Sequence, residues 1–411
     1  MNEPVYVIGV GRTNFNRNLK KEGKSIRDVT VEAARASLLD AGVDPGDVES
    51  GVIGNFASGM FTGQLHLGAF LVEADEKLRG IPTLHTEAAC ASGGVAVLTA
   101  AQQIRGGIYD VVLVVGAEQQ KTMSPEDGAE ILAAASDTQI ERPLYGQHMF
   151  PKIFARIAQH YIHREGLSEK QLAKIVLKNY AHAQYNPNAQ KNTSQMSLEQ
   201  AMTACDRNPR FAPPLKVTDC SQISDGAAAL VLCSERFKKG LRRELPLMRL
   251  AGFGHTTDYL ALQDRSPSGF PMARKAVKKA YDMAGLMPID IDAAEVHDCF
   301  SISELIAYEV LGLAEVGQAA QLLESGATSL PIVRDRVGVN LKPSRSIPVN
   351  TGGGLIADGH PVGATGVRQV VEAFDQLNAR AGQRQVAGAR RIATYNMGGS
   401  VTTVVAMIWG T

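Results

Sequence analysis

The amino-acid sequence predicts a duplicated α/β fold, in which two similar halves each alternate strands with helices. Three observations lead to this prediction. Runs of β-branched residues alternate with helical segments, turn residues recur at matching places in two parts of the chain, and a stretch of different composition separates these parts. Strands that alternate with helices favour βαβ units, so we expect mainly parallel sheets.

Each half begins with a strand, a helix, a glycine–proline break and a second strand. In the first half we expect these elements at 5–10, 26–41, 42–45 and 51–56. In the second half we expect them at 247–252, 272–284, 285–288 and 293–297. The breaks match residue by residue at Ala41/Ala284, Gly42/Gly285, Pro45/Pro288 and Asp47/Asp290. The halves are therefore predicted to be related by a pseudo-twofold axis.

The later part of each half also matches. Cys90 precedes a small-residue helix at 95–104, and His360 precedes a helix at 367–377; a strand follows in both cases. Between the halves, Gln, Asn, His, Pro and charged residues predominate, around a helical stretch at 153–161. We expect an N-terminal half at 1–118 plus 219–240, an inserted, partly helical domain at 119–218, and a C-terminal half at 245–411. Such insertions commonly carry substrate-facing surfaces.

The composition excludes several classes of protein. The 411 residues include 42 basic and 42 acidic side chains, so the neutral balance gives no reason to expect nucleic acid or an anionic membrane as the partner. No apolar stretch approaches the roughly 20 residues of a membrane-spanning helix. Five cysteines without a Cys-x-x-Cys pair argue against a disulfide scaffold. A chain that starts with a strand leaves no room for a signal peptide, so we expect a soluble cytoplasmic protein.

Cys90 lies where a strand gives way to a helix, among small neighbours that leave space for an acyl group. Helix N-termini lower the pKa of a thiol, so a thiolate nucleophile is expected. His360 follows a run of glycines and precedes Pro361, which suits a rigidly held base for that thiol. The alternatives are a buried structural cysteine and a structural glycine–proline loop with an incidental histidine.

A second thiol stands in the segment His297-Asp298-Cys299-Phe300 after a short strand. Cys299 suits a general acid/base, and His297 suits a hydrogen-bond donor to a carbonyl oxygen. A turn without chemistry is the alternative. A zinc site is disfavoured because the chain has no Cys-x-x-Cys partner set, so no metal is expected.

Together these segments resemble the thiolases, and specifically the sterol-carrier-protein-X type. The resemblance covers almost the whole chain and rests on motifs in the same order, at Cys90, Gly146-Gln147-His148-Met149, Ser224-Asp225-Gly226-Ala227-Ala228-Ala229, His297-Asp298-Cys299-Phe300 and Gly359-His360-Pro361. It implies a layered αβαβα core built from the duplicated halves. Most thiolases carry a second catalytic cysteine where this chain has Asn396 and an Asn-Glu-Ala-Phe segment where it has His297-Asp298-Cys299-Phe300. In the sterol-carrier type the cysteine of the latter segment takes over the acid/base role.

The resemblance implies thiolytic cleavage of a 3-ketoacyl-CoA, or the reverse Claisen condensation, through an acyl-Cys90 intermediate. His360 would activate Cys90, Cys299 would protonate the acetyl-CoA enolate, and His297 with His360 would stabilise it. Backbone N–H groups of Cys90 and near Gly398 would bind the tetrahedral oxyanion. Met149 would cap the acyl pocket, and His148 would line the pantetheine channel. Coenzyme A is implied as substrate without a further cofactor, in a homodimer or higher homo-oligomer.

Three other functions remain open at this point. A decarboxylating condensing enzyme would pair its cysteine with two histidines or with histidine and asparagine, and a second thiol argues against it. A thiolase-like acyltransferase or C–C lyase would work with a small OB-fold/zinc-ribbon partner, although the aldolase branch tends to lack the nucleophile. A non-catalytic binding protein on the same frame would not take up an acyl group at Cys90.

Overall fold

The computed structural model describes residues 3–241, 246–339 and 343–411. The expected start of the C-terminal half at 245 and the first two residues of the N-terminal half lie outside the described residues. Nine strands form one hydrogen-bonded sheet: β1 Val5–Arg12, β2 Ser50–Gly54, β3 Thr83–Thr86, β4 Val111–Gln119, β5 Asp225–Ser234, β6 Met248–Thr257, β7 Ala293–Val296, β8 Arg391–Gly398 and β9 Thr403–Gly410.

The order of the strands repeats in the two halves. The sheet reads β3-β2-β4-β5-β1-β6-β9-β8-β7, so the run β2-β4-β5-β1 is mirrored by β7-β8-β9-β6. In each run the first pair is parallel and the next two pairs are antiparallel. The duplication is therefore visible in topology and in strand direction. Between the halves, β1 and β6 pair over only two residue pairs, Tyr6–Arg249 and Val7–Met248.

The expectation of mainly parallel sheets was wrong, because the sheet is mixed. Only β2–β3, β2–β4 and β7–β8 are parallel pairs within the described residues. In the second half, β8 and β9 are joined by a four-residue turn, which forces an antiparallel pair. In the first half, β5 returns after the insertion and pairs antiparallel with both β4 and β1.

The described chain contains thirteen α-helices: α1 Ile26–Ala41, α2 Ser58–Thr62, α3 Ser92–Arg105, α4 Pro125–Leu132, α5 Glu141–Tyr145, α6 Met149–Glu165, α7 Glu169–Ala183, α8 Leu198–Met202, α9 Glu235–Gly240, α10 Pro271–Ala284, α11 Ser301–Val310, α12 Ala319–Glu324 and α13 Thr365–Leu377. The helices α4 to α8 belong to the inserted segment 119–218, and the predicted stretch 153–161 lies inside α6. Helices α11 and α12, which the sequence analysis did not predict, lie between β7 and the glycine-rich loop 351–366.

The helices and strands stack in five layers. Helices α3 and α13 pack on each other and contact strands of both halves, so they form the central layer. Helix α1 covers the outer face of β1, β4 and β5, and α10 covers the outer face of β6 and β9. Alternate residues of β4 serve the two faces, since Val112 and Val114 belong to the central core while Leu113 packs with α1. This is the αβαβα arrangement that the resemblance to the thiolases implied.

Matching glycines allow the outer helices to approach the sheet closely. A Cβ atom on Gly9 of β1 would lie 2.4 Å from the Ala41 backbone nitrogen, and one on Gly252 of β6 would lie 2.1 Å from the Ala280 carbonyl oxygen. Each strand also has a register irregularity just before its glycine. Because α1 and α10 approach their strands at glycines in matching positions, the duplication extends to the packing of helices on the sheet. The paired breaks also match, since Gly42 and Gly285 both end their helices in the left-handed conformation.

Among residues 3–241, 246–339 and 343–411, none of the helices has the length and apolar character that crossing a bilayer requires.

Candidate active site

Three loops that are far apart in the sequence meet at one cavity of about 640 Å³. Cys90, Cys299 and His360 line this cavity, which is otherwise mainly apolar. The Cys90 sulfur and one ring nitrogen each of His297 and His360 all lie within 4.8 Å of one another. The predicted site residues Cys90, His297, Cys299 and His360 are therefore brought together, although 270 positions separate the first from the last.

Cys90 is held by a sharp turn between β3 and α3. Ala89 has a positive φ of 50°, which tilts the chain ahead of the cysteine. The Ser92 hydroxyl accepts a hydrogen bond from the Ala88 N–H at 2.9 Å and donates to the Ala89 carbonyl at 2.6 Å. The backbone N–H groups of Cys90 itself and of Gly399 favour the charged form of the sulfur and so oppose the rise in the pKa of Cys90.

The expected low pKa of the Cys90 thiol was wrong for the resting protein. Burial, with a smaller contribution from Glu118, raises the pKa of Cys90 to about 12. The side chain is only 5% exposed, so loss of hydration outweighs the helix N-terminus. The sequence showed the helix terminus but not the burial. In the resting site the thiol is thus protonated, and it needs a base at the moment of reaction.

His360 has the geometry of that base. Its backbone N–H donates to Ser224 Oγ at 2.9 Å, and its Nδ1 lies 2.6 Å from Thr365 Oγ1. The Thr365 hydroxyl can donate its single proton to the Pro361 carbonyl at 3.3 Å and accept from Nδ1–H. We assign the proton to Nδ1 on this basis, which leaves the lone pair on Nε2. Burial, with Arg368 as a second cause, lowers the pKa of His360 to about 3, which keeps the ring neutral.

His297 has the opposite proton arrangement. Its Nδ1 lies 3.0 Å from Asn396 Nδ2, an atom that only donates, so Nδ1 accepts and Nε2 carries the proton. Within the described part of the chain, this buried Nε2 has no hydrogen-bond partner. Burial, followed by His360 and Arg368, lowers the pKa of His297 well below its usual value. The two imidazoles, 5.1 Å apart between ring centres, are thus a donor and an acceptor.

Cys299 follows β7 on the loop that leads into α11. Its carbonyl accepts from the Ser221 N–H at 2.9 Å, and its sulfur lies 3.8 Å from Ser303 Oγ. Burial is the main reason that the pKa of Cys299 is raised well above its usual value, and Cys90 adds to this. The thiol is therefore protonated and can donate a proton. A third thiol, Cys220, lines the same cavity, which the sequence analysis did not foresee.

Buried acidic and basic side chains support the loops that carry Cys299 and His360. Asp298 accepts from the Leu355 N–H at 2.7 Å and the Ile356 N–H at 3.3 Å, which fixes the turn of π-helix Gly354–Asp358 before His360. Arg368 forms a 2.5 Å ion pair with Glu295. The motif that contains Asp298 was visible in the sequence. Nothing there indicated the role of Arg368, whose partner is 73 positions away.

Other predicted contacts differ in detail. His148 lines the cavity, but Met149 is 1% exposed and packs in the core, while the next residue, Phe150, lines the cavity instead. His148 adopts a left-handed conformation at the start of α6. The backbone N–H group that favours the charged form of the Cys90 sulfur belongs to Gly399, next to the predicted Gly398.

Glycines allow the two halves to touch by their backbones next to the site. A Cβ atom on Gly363 would lie 2.6 Å from the Gly54 carbonyl oxygen, and one on Gly93 would lie 2.6 Å from the Gly363 carbonyl oxygen. The loops of Cys90 and His360 are therefore brought together by direct main-chain contact.

Two family models match the chain. The model "Thiolase, N-terminal domain" matches residues 5–236, and the model "Thiolase C-terminal domain-like" matches residues 254–411. The gap between the two matches falls at the junction of the two halves.

Relatives match over nearly the whole chain. An acetyl-CoA acetyltransferase of Methanothermobacter thermautotrophicus is 35% identical over 406 residues, which cover 98% of this chain and 99% of that protein. Sterol carrier protein 2 of Gallus gallus is 31% identical over 99% of this chain and 72% of its own length. Each is a protein to which this chain is similar.

Solved structures share the fold. A structure described as an Ltp2-ChsH2(DUF35) aldolase superposes with a TM-score of 0.81 at 22% identity, covering 99% of this chain and 98% of that one. Human mitochondrial 3-ketoacyl-CoA thiolase superposes with a TM-score of 0.73 at 18% identity, covering 100% and 99%. With both domain models matched and full-length relatives above 30% identity, the chain belongs to the thiolase family.

Proposed function

We propose that this chain is an acyltransferase that cleaves 3-ketoacyl-CoA with coenzyme A, or runs the reverse Claisen condensation, through an acyl group on Cys90. The observation that carries this proposal is the meeting of two protonated thiols and two imidazoles of opposite proton arrangement at one cavity. The acetyl-CoA acetyltransferase relatives support coenzyme A thioesters as substrates.

The first step forms the acyl-enzyme. His360 Nε2 takes the thiol proton as the Cys90 sulfur attacks the 3-keto carbon, because neither the free thiolate nor the imidazolium is favourable in the resting site. The backbone N–H groups of Cys90 and Gly399 stabilise the oxyanion of the tetrahedral intermediate. Preorganised donors of this kind are typically worth about 2.7–4 kcal/mol each.

The second step breaks the C2–C3 bond. The bonding electrons pass to C2 of the departing acetyl-CoA, whose thioester oxygen accepts from His297 Nε2–H. Cys299 gives its proton to C2, and acetyl-CoA leaves. In the final step the Cys299 thiolate takes the proton of a second coenzyme A thiol, whose sulfur attacks the acyl carbon. The bond from this carbon to the Cys90 sulfur breaks, His360 returns its proton to Cys90, and the shortened acyl-CoA leaves.

Two alternatives receive less support. A decarboxylating enzyme has no evident use for a thiol at Cys299. The aldolase neighbour shares only the fold at 22% identity, and the nucleophile position of this chain holds a cysteine. Turnover of acetyl-CoA without turnover of malonyl thioesters would exclude the decarboxylating enzyme. Co-purification of a small second subunit that is needed for activity would favour the aldolase-like enzyme.

The decisive experiment is mass spectrometry of the intact protein after incubation with acetyl-CoA. We expect the mass to increase by one acetyl group, and Cys90→Ala to abolish the increase. Cys233→Ala is the matched control, because Cys233 is an equally buried thiol on β5 with a pKa also raised to about 12. Acetylation of the Cys90→Ala protein at another residue would reject the proposed nucleophile.

We further propose a homodimer or higher homo-oligomer in the cytoplasm. All five cysteines are free, which suits a reducing compartment. Light scattering coupled to gel filtration measures the oligomeric state, and a monomeric mass at micromolar concentration would contradict the proposal.

A further inference from the structure

One buried side chain contacts both the nucleophile loop and a catalytic histidine without a role in the proposed mechanism. Asn396 lies on β8 and is 1% exposed. It occupies the position at which most thiolases carry a cysteine, and the sequence indicated only the loss of that thiol. The amide makes three hydrogen bonds, and each goes to a different part of the site.

The orientation of the Asn396 amide is fixed by the backbone. Its oxygen accepts from the Gly94 N–H at 3.1 Å, and its nitrogen donates to the Cys90 carbonyl at 3.0 Å. A reversed amide would face an acceptor with its oxygen and a donor with its nitrogen. Both backbone partners therefore select the same orientation, independently of any histidine.

The space for this amide comes from two glycines. A Cβ atom on Gly94 would lie 2.6 Å from the Asn396 side-chain oxygen, and one on Gly366 would lie 2.3 Å from it. Because these glycines stand at the starts of α3 and α13, the amide sits where the two central helices meet. The Asn396 amide is therefore confined between the starts of these two helices.

The second N–H of the fixed amide determines the proton position on His297. This N–H points to Nδ1 at 3.0 Å, so Nδ1 must accept and the ring proton must reside on Nε2. Nε2 is buried and unpartnered among the described residues, and one ring nitrogen of His297 lies within 4.8 Å of the Cys90 sulfur. We propose that Asn396 is a positioning residue that holds His297 in the Nε2–H form, so that this histidine always presents a donor to the thioester oxygen.

The same arrangement keeps soft metal ions out of the site. Donor atoms of Cys90, His297 and His360 lie within 4.8 Å of one another, a set that resembles a zinc site. Zinc binds neutral histidine through a nitrogen lone pair. Nε2 of His297 carries the proton, and the lone pair on Nδ1 already accepts from the Asn396 N–H, so His297 has no free lone pair for zinc and the cluster presents only two ligands.

The role in turnover rests on the proposed function, but the proton position does not. Tautomers of histidine are distinguished by 15N NMR of protein labelled at histidine, with the His297 signals assigned by their loss in His297→Gln. In the wild-type protein at rest, we expect the proton on Nε2 and the lone pair on Nδ1. A wild-type spectrum with the proton on Nδ1 would overturn the inference even if acyl transfer to Cys90 is established.

Asn396→Asp tests the mechanism of this control. The carboxylate still accepts from Gly94 but also accepts from His297, which moves the ring proton to Nδ1. We expect kcat for C–C cleavage to fall about 10²-fold, with KM nearly unchanged, because the lost donor acts on the developing enolate. We also expect inhibition at zinc concentrations at least about tenfold lower than for wild type, because Nε2 becomes a ligand hydrogen-bonded through its other nitrogen.

Asn378→Asp is the matched control. Asn378 also bridges backbone groups, accepting from the Leu247 N–H at 3.1 Å and donating to the Phe374 carbonyl at 2.9 Å, but it lies outside the site. We expect wild-type tautomers and zinc sensitivity for this variant. If Asn396→Asp retains the Nε2–H signal, or shows no greater zinc sensitivity than Asn378→Asp, the proposal is rejected. If Asn396→Asp does not fold, the wild-type spectrum alone decides.

Discussion

The two halves of the molecule place different chemistry at matching positions. In the first half, the loop before the central helix α3 carries Cys90; in the second half, the loop before the central helix α13 carries His360. A hydroxyl near the start of each helix orders its loop, Ser92 through the neighbouring backbone and Thr365 through the imidazole. The duplicated frame thus brings two equivalent loops together, and their different residues make a nucleophile–base pair.

The loops after β2 and β7 differ even more. After β2, Asn55 donates to the Ala117 carbonyl and to the buried Glu118 carboxylate, each at 2.8 Å. After β7, the corresponding loop carries His297 and Cys299, whose side chains face the cavity region. One loop therefore stabilises the fold and the other carries reactive groups. Symmetry of the frame does not require symmetry of function.

The largest expected effect concerns the pair of loops before the central helices. His360→Ala should slow acylation of Cys90 by about 10³–10⁴-fold, because the buried thiol then has no base. Rapid-quench mass spectrometry with acetyl-CoA measures this rate. His255→Ala on β6 serves as control and should acylate at the wild-type rate. Acylation of the His360→Ala protein within about tenfold of wild type would show that another group takes the proton.

Substitutions in the loops after β2 and β7 should affect different properties, stability for the loop after β2 and catalysis for the loop after β7. Cys299→Ala should acylate normally but lose about 10³-fold in C–C cleavage, with unchanged thermal stability. Asn55→Ala should leave the buried Glu118 without one donor and lower the free energy of unfolding by about 1–3 kcal/mol. Rates of 3-ketoacyl-CoA cleavage and thermal unfolding curves separate these results. Full turnover by Cys299→Ala would reject its acid/base role.

The hydroxyl at the start of α13 should matter for chemistry. Thr365→Val removes the acceptor at His360 Nδ1, which leaves the ring free to place its proton on Nε2, where it is not a base. We expect acylation to slow by about 10–10²-fold. Thr365→Ser retains the hydroxyl and should recover most of the rate. Equal loss in both variants would mean that packing of the Thr365 methyl group matters instead.

The matching glycines of β1 and β6 should be equally sensitive. Gly9→Ala and Gly252→Ala each force a methyl group against the helix above, so each should lower the free energy of unfolding by about 1–3 kcal/mol. Gly240→Ala is the control, since a Cβ atom at this position would have no described atom within 4 Å beyond its own chain neighbours. Unequal losses, measured by denaturant unfolding, would show that the halves tolerate strain differently.

The smallest expected effect is on pH dependence. The pKa of His360 is lowered to about 3, so the ring is neutral and able to accept a proton at every pH above that value. The single-turnover acylation rate at saturating acetyl-CoA should therefore not decrease between pH 8 and pH 5. A decrease centred near pH 6.5 would indicate that His360 titrates as an exposed histidine does.

The sequence predicted what depends on local pattern. The paired helix breaks at Gly42 and Gly285 and the loops of Cys90 and His360 were foreseen, because turn residues and periodicity are short-range signals. The layered core was foreseen only through the resemblance to the thiolases. The antiparallel strands were missed, since strand direction depends on how β5 returns after the insertion. The prediction of a thiolate at Cys90 was wrong because a single sequence does not reveal how deeply a side chain is buried.

The parts of the site that act through long-range contacts were not predictable. Asn396 meets Gly94 across 302 positions and His297 across 99. The sequence indicated that a cysteine was replaced there, but not which atoms the amide would contact. Thr365 was overlooked because a threonine at the start of a helix is ordinarily only a helix-terminal residue.

The glycine contacts between the halves determine the spacing of sulfur and imidazole. Since β1 and β6 share only two residue pairs, the sheet itself fixes the relation of the halves weakly. Gly93, Gly363 and Gly54 touch through their main chains instead. A methyl group at any of these glycines would push the two loops apart and increase the distance between the Cys90 sulfur and the His360 ring. A displacement of about 1 Å is enough to lower the rate about 10²-fold. The distance between the Cys90 sulfur and the His360 imidazole thus depends on glycines that have no side chain.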